Sequence, residues 1–189
     1  MAVAHHGEQD DHERSQNPDR ESARSGIDPP VKFLLEAPLD FLLAEHLRQR
    51  QAAKIIALIG DGVINKKTIS AVIDFIERDL AQHIVDEELV LFPLLREKCS
   101  AEDKIDELLS VLAEEHQEDE AQSGAVLAVL RTLAAGGEAG TEDRRLLQDF
   151  ADRLKRHLAL ENSVLLPLAR SRLDAPSLRF VAEAMLARR

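Results

Sequence analysis

"HIVDEELVLFPLLR", His83 to Arg96, returns later in the chain as "HLALENSVLLPLAR", His157 to Arg170. The two stretches align without a gap. His83 matches His157, Glu87 matches Glu161, Val90 matches Val164, Pro93 matches Pro167 and Arg96 matches Arg170. A second echo precedes each: "AEH" at Ala44 to His46 and "EEH" at Glu114 to His116. The chain therefore reads as two related halves, each contributing a His and a later His-x-x-x-Glu.

Four long helical patterns carry these residues. The first opens near Pro38, suited to a first helical turn, and stops at Gly60. The second runs from about Lys67 to Lys98. The third opens at "SAED", with Ser100 as N-cap and Asp103 at the capping-box position, and ends at Gly136-Gly137. The fourth starts after Thr141, read as its cap, and ends near Leu173. A short fifth helix follows the Asp174 cap, with Leu178, Val181, Ala182 and Met185 suited to docking. Short connections make consecutive helices antiparallel neighbours. The expected fold is all-α: an up-down antiparallel four-helix bundle over residues 31–189, with approximate internal two-fold symmetry and a short fifth C-terminal helix. Residues 1–30 are polar and nearly free of large apolar side chains, so a disordered tail is expected there, holding His5, His6 and His12.

Composition supports this and narrows the function. Apolar residues make up 44% of 189, enough for a core, and the scarcity of Gly and absence of Trp and Tyr favour helix. A net charge of -11 with no basic run argues against nucleic acid and anionic membrane surfaces as partners. A single cysteine, Cys99, excludes an intrachain disulfide and a CxxC metal site, and is expected to be an inert thiol. The first residues form no apolar signal region and no stretch is long enough to span a bilayer, so the cytoplasm is the default location.

Each long helix places one histidine in its apolar stripe. The second stripe runs Ile69, Ile73, Ile76, Leu80, His83, Glu87, Val90, Leu94, and the fourth Leu147, Phe150, Leu154, His157, Glu161, Val164, Leu168. His46 follows Leu39 and Leu42 or Leu43, and His116 follows Ile105, Leu109 and Leu112. About 15 residues separate each histidine from the next turn, about 22 Å of helix, so the four should meet at one level of the core. Two carboxylates in an apolar interior are costly without positive charge nearby. Four imidazoles and two carboxylates suit Fe, Zn, Cu or Ni. Two ions, with two histidines each and with Glu87 and Glu161 as bridges, use the set symmetrically. An oxide or hydroxide bridge would bring each to five-coordination. A ferritin-like Glu-x-x-His plan fails, because no inward Glu precedes any of the four histidines by three.

The order His, His-x-x-x-Glu, His, His-x-x-x-Glu, with "LFP" and "LLP" after the carboxylates, resembles the hemerythrin-like HHE cation-binding domain over about Pro38 to Leu173. That resemblance implies a four-helix bundle around a non-haem di-iron centre, two iron ions with an oxo or hydroxo bridge. His46 and His83 would hold one iron, His116 and His157 the other, with Glu87 and Glu161 between them. It also implies a small-ligand protein that binds or senses dioxygen or nitric oxide. A di-iron oxidase or peroxidase, iron storage or sensing, and iron-centre repair are the alternatives. Oxygen carriers have a fifth histidine where this chain has Glu120, a further candidate ligand, and an Asp at a spacing of five where this chain has Glu161 at four. Both departures point away from stable oxygen transport. The repair proteins carry an N-terminal cysteine-bearing domain, and residues 1–30 hold no cysteine.

Flanking residues complete the expectations. Arg50, one turn after His46, is a candidate partner for a carboxylate at the site. Glu45, Asp86, Glu88 and Asn162 neighbour ligands in sequence and are expected to point elsewhere. Pro93 and Pro167 should bend their helices.

Overall fold

A computed structural model describes Ile27 and residues 35–189. Five helices, and no strand, make up the described residues. Helix α1 is Pro38–Gly60, with the proline in its first turn. Helix α2 is one run over 66–98, made of Lys66–Asp74, Phe75–Leu80, Ala81–Asp86, Glu87–Leu91 and Phe92–Lys98. It is capped by Asn65, which accepts from the Thr68 N–H at 3.2 Å. Helix α3 is Ile105–Ala134. Helix α4 covers 141–172 as Thr141–Leu160, Glu161–Leu165 and Leu166–Arg172, and α5 is Ala175–Leu186 behind the Asp174 cap. The first four pack as the up-down bundle, and α5 lies against α1. No helix among the described residues is long and apolar enough to cross a membrane. The expectations for the N-terminal tail and its histidines lie outside the described residues. Ile27 is the exception: it is buried in the core, and its carbonyl accepts from Arg48.

Two start signals differ from expectation. The Ser100–Asp103 capping box forms, but it closes a single 3-10 turn, Ala101–Asp103. Lys104 then takes a left-handed conformation (φ 50°), and α3 starts after it. Thr141 is the first residue of α4 rather than its cap. Gly140 holds the cap position, and its N–H donates to the Asp143 carboxylate at 2.9 Å.

The ends of α1 and α3 repeat one device. Gly62 and Gly136 take positive φ, 93° and 90°. Beyond α3, the Gly137 N–H donates to the Thr132 carbonyl at 2.9 Å and the Gly136 N–H to Leu133 at 3.0 Å. Val63 to Leu58 and Gly62 to Ile59 do the same beyond α1. Such a closure requires left-handed backbone at the glycine. A Cβ on Gly136 would meet nothing closer than the Lys66 Nζ at 3.7 Å, so Gly136→Ala isolates backbone strain from crowding. We expect it to cost about 1 kcal/mol, a fall in melting temperature of roughly 2 to 4 °C by calorimetry.

The prolines act through the helix itself. Each follows a widened π turn, Glu87–Leu91 before Pro93 and Glu161–Leu165 before Pro167. A proline has no N–H to offer the carbonyl four residues back, and its ring crowds that carbonyl. The wider turn relieves both, and it shifts the helical phase of the residues around and beyond it. The turn does not act alike in both halves: Val90 stays buried, whereas Val164, expected inside, is 42% exposed and Leu165 and Leu166 take the core positions.

The core is in two parts. One apolar cluster joins Ile56, Phe75, Leu80, Leu130, Phe150 and Leu154; the other joins Leu42, Leu91, Leu95, Leu112, Leu165 and Val181. In α1, α2 and α3 the site histidine falls between the two clusters in sequence, and in α4 His157 falls at the edge of the first, one residue before Leu158. A polar layer therefore separates two dry cores.

Candidate metal centre

The layer holds all six expected residues: His46, His83, Glu87, His116, His157 and Glu161, none more than 3% exposed. They form two overlapping groups whose potential ligand atoms lie within 4.8 Å of one another. One is His46, His83, Glu87 and Glu161; the other is His116, His157, Glu87 and Glu161. Both carboxylates belong to both groups. Glu87 Oε1 is 3.7 Å from His46 Nε2 and 3.5 Å from His83 Nε2, and its Oε2 is 3.5 Å from His116 Nε2. Glu161 Oε2 is 3.4 Å from His46 Nε2, and its Oε1 is 3.0 Å from His157 Nε2.

Four residues one step from a ligand in sequence hold the imidazoles. Glu45 Oε2 accepts from His83 Nδ1 at 3.0 Å, and Glu88 Oε1 from His116 Nδ1 at 2.9 Å. Glu115 Oε2 accepts from His157 Nδ1 at 2.8 Å, and Asn162 Oδ1 from His46 Nδ1 at 2.9 Å. The bonds run from α1 to α2, α2 to α3, α3 to α4 and α4 back to α1, a closed ring around the bundle. This corrects the expectation that Glu45, Glu88 and Asn162 point away. A residue next to a ligand is turned about 100° around its helix, away from the centre and onto the neighbouring helix. There it meets the far nitrogen of the neighbour's imidazole. With Nδ1 donating outward, a neutral ring keeps its lone pair on the inward Nε2, the arrangement a metal-binding histidine uses. Here His116 Nε2 and His157 Nε2 lie 3.0 Å apart and share a proton between them.

Arginines complete this outer layer. Arg189 bonds Glu45 at 3.0 Å and Asp86 at 2.6 Å, and Arg188 bonds Asp86 at 2.8 Å. Arg153 bonds Asp119 at 2.6 Å. Arg50, expected as such a partner, is exposed. Glu120 is also exposed and joins neither four-residue group. It lines a groove of about 530 Å³ beside α2 and α3, together with Ile76, Leu80, Glu88 and Asp119. One turn past His116, Asp119 turns to α4 and is buried, and Glu120 turns to this open groove. Half-buried Cys99 has its thiol pushed up by burial and by Asp103, in keeping with an inert role.

The protein atoms alone leave the centre unbalanced. Both carboxylate oxygens of Glu87 and of Glu161, and the Nε2 atoms of His46 and His83, are buried without a hydrogen-bond partner. Such groups are costly unless a cation satisfies them. Burial lowers the His83 pKa, but the charges of Glu87, Glu45 and Glu161 outweigh it and hold it at about 9. Burial likewise opposes charge on His157, but the Glu161 carboxylate, with its Oε1 3.0 Å from Nε2, together with Glu87 and Glu115, raises it to about 10. Burial works against the ionised Glu161, yet the imidazole of His157 and those of His46 and His83 hold its carboxyl well below the usual range. Protons thus stand in for a cation, and a metal must displace them. At pH 7.5, below both raised values, loading is expected to release roughly two protons per chain, read as dye absorbance in weak buffer. Affinity should then rise as the pH is raised toward 9, since fewer protons compete.

Gln49 was missed in the sequence. It lies three residues beyond His46 on α1, 2% exposed, with both amide atoms unpartnered. Its amphipathic position gave no signal, because a glutamine in a helix of charged residues reads as surface.

The model of the hemerythrin HHE cation-binding domain matches residues 37–169, most of the described chain. No similar curated protein and no similar solved structure was found. The chain belongs to the hemerythrin HHE family, and metal binding is the function that membership carries.

Proposed function

We propose that this hemerythrin HHE-domain chain holds two iron ions at the layer between its cores and binds or senses a small diatomic ligand there, dioxygen or nitric oxide. The observation that carries the reading is the sharing of Glu87 and Glu161 by two four-residue groups. His46 and His83 would hold one ion and His116 and His157 the other, each through Nε2, with the two carboxylates joining them. Four protein donors per ion leave coordination room for an exogenous ligand. Iron(II) supplies the electrons on which dioxygen or nitric oxide draws when it binds.

The chain's own residues provide the rest. Glu45, Glu88, Glu115 and Asn162 fix ring orientation and tautomer. The two apolar clusters exclude bulk water above and below the layer. Gln49, buried about 4.5 Å of helix rise from His46, offers an unpartnered donor and acceptor for a small polar ligand. Glu120, exposed, is left out of the ligand set. With no Tyr or Trp in the chain, a radical relay through those side chains is unavailable, which favours binding over oxidase chemistry.

The test is metal analysis of aerobically purified protein, followed by stopped-flow mixing of the ferrous protein with dioxygen and with nitric oxide. About two irons per chain and a reversible spectral adduct would support the reading. One zinc per chain without iron uptake would sink it. Steady turnover of an added reductant or peroxide would replace it with the oxidase or peroxidase reading, and iron-dependent folding without an adduct with iron sensing.

A further inference from the structure

The two groups present the same inner donors: two imidazole Nε2 atoms and one oxygen from each shared carboxylate. Any difference between them must come from what surrounds the imidazoles. Around His116 and His157, both Nδ1 atoms donate to carboxylates, Glu88 and Glu115. The further acid on that side, Asp119, is matched by Arg153. Around His46 and His83 only one acceptor is a carboxylate, Glu45, and Arg189 bonds it. The other is the neutral amide of Asn162. Asp86 on that side is bonded by Arg188 and again by Arg189. Counted as ions, the outer residues carry two uncompensated negative charges at His116/His157 and none at His46/His83.

The internal repeat shows how this arises. Glu45 and Glu115 are equivalent in the two halves, and each bonds the histidine of the following helix. Glu88 and Asn162 are equivalent as well, each following a shared carboxylate. A single substitution, an amide where the other half has an acid, breaks the symmetry. The α5 end, through Arg188 and Arg189, widens the difference. An anionic acceptor on Nδ1–H makes the imidazole a stronger donor to a metal, and a neutral or neutralised one does not.

We propose that the two metal positions are inequivalent, with His116/His157 the tight one that fills first, and that Asn162, together with Arg188 and Arg189 just beyond α5, sets the difference. The proposal rests on the metal-centre reading above. It makes Glu88, Glu115, Asn162 and Arg189 positioning residues that grade two otherwise identical sites.

The experiment is anaerobic titration of the metal-free full chain with cobalt(II), followed by visible absorption, with far-UV circular dichroism to confirm helicity of each variant. The parent should bind in two resolved steps. Repulsion between two cations would also split them, so assignment rests on the variants. His46→Ala should keep the tight step, and His157→Ala should lose it. Glu88→Gln and Glu115→Gln should each weaken the first step by about 10- to 100-fold. Asn162→Asp should instead strengthen the second step by about tenfold, a gain that mere structural damage does not produce. Arg189→Ala should move the second step the same way by freeing Glu45. Two equal steps in the parent, loss of the tight step in His46→Ala, or no gain in Asn162→Asp would overturn the proposal. A parent that binds no cobalt would instead bring down the metal-centre reading itself.

Discussion

Glu87→Ala is expected to empty both metal positions, whereas His83→Ala should empty one. Glu87 directs one oxygen to the His46/His83 side and the other to His116, so its loss takes a donor from each group. Two imidazoles and Glu161 remain on each side. His83 belongs to a single group, and its removal leaves His116, His157, Glu87 and Glu161 untouched. Changes in residues that only support a ligand already weaken metal affinity about 10- to 100-fold, and a lost ligand should exceed that at both positions. After desalting, Glu87→Ala should retain well under one iron per chain and His83→Ala about one. Equal retention by the two variants would contradict the shared role of Glu87. Glu161→Ala should behave as Glu87→Ala does, because its two oxygens are divided in the same way between His46 and His157.

That contrast was already legible in the alignment of the two halves. A histidine in each apolar stripe, with a carboxylate one turn on in α2 and α4, is a pattern a sequence shows directly, since helical spacing alone decides which residues share a face. The outer ring was not legible for a related reason. Glu45, Glu88, Glu115 and Asn162 lie off the stripe, and helical spacing assigns them to a neighbour or to solvent without saying which. The repeat did hold a signal: an acid precedes both His46 and His116, and a polar residue follows both Glu87 and Glu161. Val164 failed for another reason. Spacing treats the two halves alike, but Val90, in the matching π turn before Pro93 against which α5 packs, is buried, while Val164 is 42% exposed. Glu120 and Asp119 lie on either side of the His116 line, so spacing could not choose between them. The packing of α4 chose Asp119, which meets Arg153. Arg188 and Arg189 lie more than 100 residues from the acids they bond, beyond the reach of any local pattern.

Removing metal should cost the fold far more than any turn or cap. In the metal-free layer the four oxygens of Glu87 and Glu161 are buried without hydrogen-bond partners, held only by nearby imidazoles. A ligand that binds only the folded chain stabilises it by about 4 kcal/mol when its free concentration is a thousand times its Kd. For a chain of this size that is roughly 8 to 16 °C in melting temperature per position. Chelation should therefore lower the calorimetric melting temperature by at least that much, and iron(II) should restore it. The double variant Glu87→Leu/Glu161→Leu supplies the converse. Without Glu87 and Glu161 the facing imidazoles lose the charges that keep them protonated, so both members of each pair become neutral. Replacing a buried ion pair with apolar groups is commonly neutral or stabilising by about 1 to 4 kcal/mol. Without metal, this variant should melt at or above the metal-free parent, since the two dry cores then meet across a less polar layer. It should also show no response to iron(II). A parent whose melting temperature ignores both chelator and iron would mean that the protonated histidines alone satisfy the carboxylates. A double variant that melts far below the metal-free parent would mean that the charged layer supports the bundle by itself, rather than being held in place for the cation.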